Sequence, residues 1–343
     1  MLPDRDRHFT GGNHMIKRTL LNSAAAACMA AASVVAMSAA AQAQTGEPVR
    51  VAMGDIASIE SLGLLIAMER AKERGVPMEL TFFNSEDVAT QAVVGGQADI
   101  GVGAPYAFIQ NSNAPIRMFY QMSTLLFFPV VNTEVYQDWQ DLDGQEVTVH
   151  SRGSGTEALM RLMEQQHGIT YSGISYVPGA EVRAGALLQG TINASIVDSS
   201  SFRLLEQQGG GKFARLPLEG VNATDEALYA NADFLNEREE DVAIFVEEML
   251  RTWNEINENP AIVEELRTQY DLLPDLPDQA VAEITPYFSE SAESGVFPTD
   301  GGTPEDVTDD LSFLAAAGQV DAPEGDVDES MYWDFDPLNA AKN

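Results

Sequence analysis

The feature that most constrains this chain is a pattern that occurs twice. Ala92-Val-Val-Gly-Gly-Gln-Ala-Asp-Ile-Gly-Val-Gly-Ala-Pro105 has a counterpart in Ala186-Leu-Leu-Gln-Gly-Thr-Ile-Asn-Ala-Ser-Ile-Val-Asp198. In register, Gly96 pairs with Gly190, Asp99 with Asn193 and Val102 with Ile196. Each copy reads as a helix end, a glycine stop, a polar residue and a short apolar strand. Glycine is the expected residue just past an apolar helix, because it enters the left-handed region without a Cβ clash. Four or five apolar residues between Gly and Asp or Pro suit a strand buried on both faces of a parallel sheet. Ligands in such sheets bind beyond the carboxyl ends of the strands. The loops at 103–106, with Ala104 and Tyr106, and at 198–201, with Asp198 and Ser199, are therefore the first candidate site segments. Two α/β units predict two lobes with a cleft between them.

Around the repeats the chain alternates in the same way. Val49–Met53 predicts a strand whose exit loop holds Gly54, Asp55, Ile56 and Ser58. A helix is expected over Ser61–Arg74, a strand over Val76–Phe83, and a helix with Ser85 as N-cap behind Asn84. Strand, helix, strand at this spacing means right-handed βαβ units. Ile116–Tyr120 predicts a fourth strand, and the apolar run after Gln121 an extended crossing to a second lobe. There, Glu146–His150 reads as a strand leading through Ser151-Arg152-Gly153-Ser154-Gly155-Thr156 into an amphipathic helix. The free N–H groups and dipole of such a turn suit an anion, and Arg152 could add a charged fork. Taken alone, the turn fits an ordinary capped helix start, with Ser154 or Thr156 as N-cap, better than an anion site. It is neither a P-loop, lacking Gly-Lys-Thr, nor a nucleophile elbow, lacking Gly two residues before Ser154. Ile174–Val177 predicts a further strand with Gly179 in its exit loop. Asp198 can take a ligand amine or simply cap the helix that follows.

The expected organisation is a signal segment over 1–43, a first lobe over 44–130, a second over 131–231, and a helical return over 232–343. Lys17-Arg18, the apolar run Leu20–Ala40 and Ala41-Gln42-Ala43 have the n-region, h-region and cleavage site of a secretory signal. The alternative is a membrane anchor. The single Cys, Cys28, lies in this segment, so the exported protein would have no disulfide, thiol nucleophile or cysteine–metal site. With 53 acidic against 19 basic residues the net charge is −34, which disfavours nucleic acid and anionic lipid as partners. No metal-ligand spacing or Ser–His–Asp order is visible, and no cofactor is expected. Glu237–Asn259 and the segments after Pro260 read as packing helices, with Tyr332, Trp333 and Phe335 as anchors of the acidic C-terminus.

These elements, taken together, resemble a known family. The order is a signal, a Gly-Asp loop after the first strand, Gly95-Gly-Gln-Ala-Asp-Ile-Gly101, Asp141-Leu-Asp-Gly-Gln-Glu-Val147, Gly153-Ser-Gly-Thr156 and Leu187-Leu-Gln-Gly-Thr-Ile-Asn-Ala194. It is similar over residues 48–260 to periplasmic substrate-binding proteins of ABC importers for sulfonates, nitrate and thiamine-precursor pyrimidines. The resemblance implies a hinged, two-lobed α/β fold of type II, each lobe a parallel-rich sheet flanked by helices. It implies a monomer that captures a small organic anion, such as taurine, in the periplasm and delivers it to an inner-membrane permease. Carried onto this chain, the ligand residues would be Asp55, Ile56, Asn84, Ser85, Ala104, Tyr106, Gln121, Arg152, Gly153, Ser154, Gly155, Thr156, Gly179, Asp198 and Ser199. Tyr106, Tyr120, Phe127 and Tyr176 would fit a planar ring ligand equally, and the Gly-Ser-Gly-Thr turn also resembles solute receptors of TRAP transporters. A sensing rather than transport role is a further alternative. Pyrimidine-forming enzymes of the same fold carry a cysteine-rich motif that this chain lacks, so no enzyme is expected.

Overall fold

In the computed structural model residues 46–218, 221–322 and 325–342 are described. The expected signal segment lies outside them. Among the described residues ten strands form two sheets of five. The first contains β1 (Val49–Met53), β2 (Met78–Phe82), β3 (Ile100–Gly103), β4 (Ile116–Thr124) and β10 (Thr224–Asn231), in the order β2-β1-β3-β10-β4. The second contains β5 (Phe128–Asn132), β6 (Glu146–Val149), β7 (Gly173–Tyr176), β8 (Ala194–Val197) and β9 (Phe213–Arg215), in the order β7-β6-β8-β5-β9. The orders are equivalent: the two halves of the sequence repeat, ending in β3 and β8, take the same slot in their sheets.

Helices connect the parallel strands as the spacing predicts: α1 (Leu62–Glu73), α2 (Glu86–Val94) and α3 (Tyr106–Ser112) in the first half, and α4 (Gly155–His167), α5 (Ala180–Gln189) and α6 (Ser199–Gln208) in the second. After β10 come α7 (Ala232–Glu237), α8 (Glu239–Glu258), α9 (Ile262–Tyr270), α10 (Asp278–Glu293), α11 (Pro304–Ala316) and α12 (Asp336–Ala341). Ser154 and Asp198 accept hydrogen bonds from the N–H groups of Glu157 and Ser201, capping α4 and α6. The α10 helix runs through Pro286 to Glu293.

Each sheet departs from the expected pattern in one way. The strand beside the third parallel strand is antiparallel, and it arrives from the other half of the molecule. β10 pairs antiparallel with both β3 and β4, and β5 pairs antiparallel with β8 and β9. The expected lobe boundary at residues 130 and 131 therefore falls inside β5. The return crossing precedes Thr224 instead of falling at Asn231. The reason is burial: Ala227, Leu228, Tyr229 and Ala230 are fully buried on both faces, so this segment is a central strand of the first sheet and not the last element of the second. Gly101 makes room for it. A Cβ there would stand 2.1 Å from the Tyr229 ring.

The helical return clamps the first sheet. Gly63 of α1 lies against the indole of Trp253 on α8, where a Cβ would come within 2.5 Å of the ring. Trp253 Nε1 donates to the Met122 carbonyl at 2.5 Å. The expected C-terminal anchors are in place: Tyr332 and Trp333 are buried, and Trp333 bridges to Met118 of β4.

Candidate ligand-binding site

Strand-exit loops of both sheets meet face to face. The β1 exit and the first turn of α2 supply Asp55, Glu60 and Glu86. The second sheet supplies His150, Ser154 and Thr156 after β6, Ala180 and Arg183 after β7, and Asp198 with Ser199 after β8. The two crossings add Phe127 and the pair Asp225-Glu226 at the start of β10. Most of these groups line a cavity of about 30 Å³. A neighbouring cavity of about 40 Å³ shares Glu60, Phe127, Asp225 and Glu226 with it and adds Asp198 and Ser199.

The loops touch directly. His150 Nε2 lies 3.0 Å from the Gly54 carbonyl oxygen, which can only accept, so Nε2 carries the proton. Its Nδ1 faces Asp55 at 3.9 Å, and Nε2 is 3.7 Å from Glu86. Burial lowers the His150 pKa against the pull of Asp55, so the ring is neutral at pH 7. Ser151 Oγ donates to Glu86 at 3.5 Å. Gly179, at φ 79°, lies against Ile56, whose Cδ1 would stand 2.4 Å from a Cβ at that position.

The charge in this space is one-sided. Burial, reinforced by the charges of Glu226 and Asp55, pushes the Glu86 carboxyl up to about 8. Burial pushes Glu181 up to about 7. Burial and neighbouring carboxylates raise Glu60, Asp225 and Glu226 as well. Arg183, 1% exposed, is the guanidinium among them. Its Nε and Nη1 donate to the carbonyls of Ile196 and Val177 at 2.9 and 2.8 Å. These are carboxylates desolvated together, a state that binds protons.

A pH dependence follows. Glu86 has its folded pKa raised, so its contribution to stability is complete below about 4.5 and is lost as pH rises through about 8. The melting temperature of the ligand-free protein is expected to fall between pH 5 and pH 8. Glu86→Gln should flatten that slope, measured by scanning calorimetry against the parent protein. An equal slope in both would assign the effect to net charge alone.

Several residues singled out in the sequence lie elsewhere. Tyr106 is fully buried in the core, its hydroxyl donating to Asp310 at 2.7 Å and accepting from Trp333 Nε1 at 2.8 Å. Gln121 is buried with its amide donating to Thr224 Oγ1 at 2.8 Å. Neither reaches the cavity, because the C-terminal helices and β10 take their polar groups. Arg152 stacks over the Tyr176 ring at 5.0 Å and, with Gly153 and Ala104, faces a separate open groove. The N–H of Gly153, expected to serve an anion, already donates to the Glu157 carboxylate at 2.7 Å. Ser85 occupies the N-cap position of α2 next to Asn84, yet its hydroxyl donates to the Asp87 carboxylate and not to the helix. Gly155 packs against Leu125. Asp55, Ser154, Thr156, Asp198 and Ser199 do line the cavities, and Asp198 also caps α6. The acids Glu60, Glu86, Asp225 and Glu226, and Arg183, were not anticipated. A usable signal was the Asp-Glu pair opening a strand otherwise apolar.

Two equivalent sheets, joined by crossed strands and meeting at their strand-exit loops, define a bilobal binding-protein architecture. Solved structures share it. A protein of Bordetella bronchiseptica RB50 matches with a TM-score of 0.71 at 22% identity, covering 87% of this chain and 97% of its own. The alkanesulfonate-binding protein SsuA of Xanthomonas axonopodis pv. citri, bound to MOPS, matches with 0.61 at 14% identity, covering 84% and 99%. The periplasmic nitrate-binding protein NrtA of Synechocystis PCC 6803 matches with 0.61 at 12% identity, covering 86% and 89%. The fold is that of the periplasmic binding proteins. A family model described as NMT1/THI5 like matches residues 58–262, more than half of the chain, and the chain belongs to that family. No curated protein sequence matches it significantly.

Proposed function

We propose that this protein is an exported solute-binding component of an ABC importer. It closes its two lobes on a small organic molecule at the meeting of the strand-exit loops and presents the closed form to a membrane permease. The observation that carries this reading is the convergence of polar side chains from five strand exits and both crossings on one interior space. Two sheets joined by two crossings also suit hinged closure, in which bound and open forms offer the permease different surfaces. The role requires no covalent chemistry. Among the described residues no helix is long and apolar enough to cross a membrane.

Likeness to SsuA and NrtA suggests a sulfonate, such as taurine, or nitrate as the ligand. At 12–22% identity the lining residues are the better guide to ligand chemistry. Native mass spectrometry and thermal shift on the purified protein would test the function itself, with sulfonates, nitrate, pyrimidines, aromatic acids and amines as candidates. A ligand at 100 times its dissociation constant should add about 2.7 kcal/mol and raise the melting temperature visibly. Absence of binding across these classes, with turnover of one of them, would overturn the reading.

A further inference from the structure

We infer that the ligand is a small organic cation, an ammonium or guanidinium, seated where Glu60 of the first half meets Asp198 of the second. This deepens the solute-binding reading and rests on it. Glu60 and Asp198 both line two spaces: the inner cavity with Ser199, and an outer one of about 230 Å³ with Ser58, Ser201, Glu181 and Glu283. The outer space is large enough for a compact organic molecule, and Ile59, Leu204 and Leu276 give it apolar walls.

The second observation is independent of charge. Ser58, Ser199 and Ser201 are buried at 6%, 1% and 2% exposure, and their hydroxyls have no hydrogen-bond partner. Glu60 Oε1 has none either. Buried polar atoms are nearly always paired, so four orphans around one junction mark a place where a ligand completes the bonding. The serine hydroxyls can accept or donate and the carboxylate oxygen accepts, so the four together can take a ligand with several N–H groups.

The electrostatics select the sign. Arg183 lies among Asp55, Glu60, Asp198 and Glu181, one guanidinium against four carboxyls, and its Nε and Nη1 both donate to carbonyls. Burial, and then the proximity of Asp198, raise the proton affinity of Glu60. An arriving cation competes with a proton for that carboxyl, whereas an anion would meet four carboxyls around a guanidinium whose Nε and Nη1 are already held by carbonyls. Phe127 and Tyr287 stand in the wall of the inner cavity, aromatic neighbours of the kind an onium group favours. Among the described residues no group of three or more His, Cys, Asp or Glu side chains is arranged to hold a metal ion, which points to an organic cation.

Isothermal titration of the purified protein with putrescine, choline and agmatine, against taurine and nitrate, tests this. At least one cation should bind with one-to-one stoichiometry. Titrations at pH 7 in buffers of different ionisation enthalpy should show proton release. Glu60→Gln should weaken that cation by roughly tenfold or more, the loss of one charge-assisted bond, and Ser199→Ala should weaken it severalfold. If taurine or nitrate binds and all three cations fail, the inference is overturned and the solute-binding reading stands. If a cation binds but neither substitution changes its affinity, the site is elsewhere and the inference is equally overturned. If no solute of any class binds, both readings fall.

Discussion

Replacing Arg183 with Met is expected to cost this protein about 3–5 kcal/mol of stability, the usual consequence of breaking a buried charge network from one side. The guanidinium is fully buried, and its Nε and Nη1 satisfy the carbonyls of Ile196 and Val177 at 2.9 and 2.8 Å. The Ile196 carbonyl lies near the end of β8 and the Val177 carbonyl just after β7, so the substitution strips a polar partner from two strands that lead into the site. It also removes the positive charge that moderates Asp55, Glu60, Asp198 and Glu181. The proton affinities of Glu60 and Glu181, already raised by burial, rise further in the folded state, and stability is then lost more steeply as pH increases. The deficit, read from urea unfolding, should accordingly be larger at pH 8 than at pH 5. Arg183→Lys should recover only part of it, since an ammonium on a flexible stem does not reproduce a fork bonding two carbonyls. A loss below about 1 kcal/mol, or one independent of pH, would show that Arg183 is not coupled to these carboxyls.

How much of this could be read from the sequence depends on the range of the interaction. The repeat at 92–105 and 186–198 specified two equivalent sheets because local signals, a glycine stop and a short apolar run, repeat in the same order. The caps at Ser154 and Asp198 are local too, and both formed. The crossed strands were not legible. Ala227–Ala230 is an apolar run like any other, and nothing near it says that it inserts between β3 and β4 of the other half. The site was half legible for the same reason. Loops could be chosen from strand ends, but Tyr106 and Gln121 were lost to Asp310 and Thr224, partners far along the chain. Arg152 looked like the cation of an anion site until the structure put it on Tyr176, with the Glu157 carboxylate on the neighbouring N–H. Sequence charge did carry information: a net −34 is expressed inside the cleft as well as on the surface.

The same long-range claim on Tyr106 makes Asp310 the other position of large effect. Its carboxylate accepts from the Thr224 N–H at 2.6 Å and from the Tyr106 hydroxyl at 2.7 Å, with 2% exposure. Asp310→Ala leaves two buried donors without partners, at about 1–3 kcal/mol each, so a loss of several kcal/mol is expected on unfolding in urea. Asp310→Asn keeps one acceptor oxygen and should lose less. Burial raises the Asp310 pKa to about 6 from 3.8, so its contribution is complete below about 4 and declines as pH rises through 6. The cost of Asp310→Ala should therefore be greater at pH 5 than at pH 7. Ligand affinity is the discriminating readout. Thr224 leads directly into Asp225 and Glu226 in the cavity wall, so releasing its N–H loosens the start of β10 and should weaken binding even where the protein remains folded. Unchanged affinity in a folded Asp310→Ala variant would mean that β10 is held in register by its pairing with β3 and β4 alone.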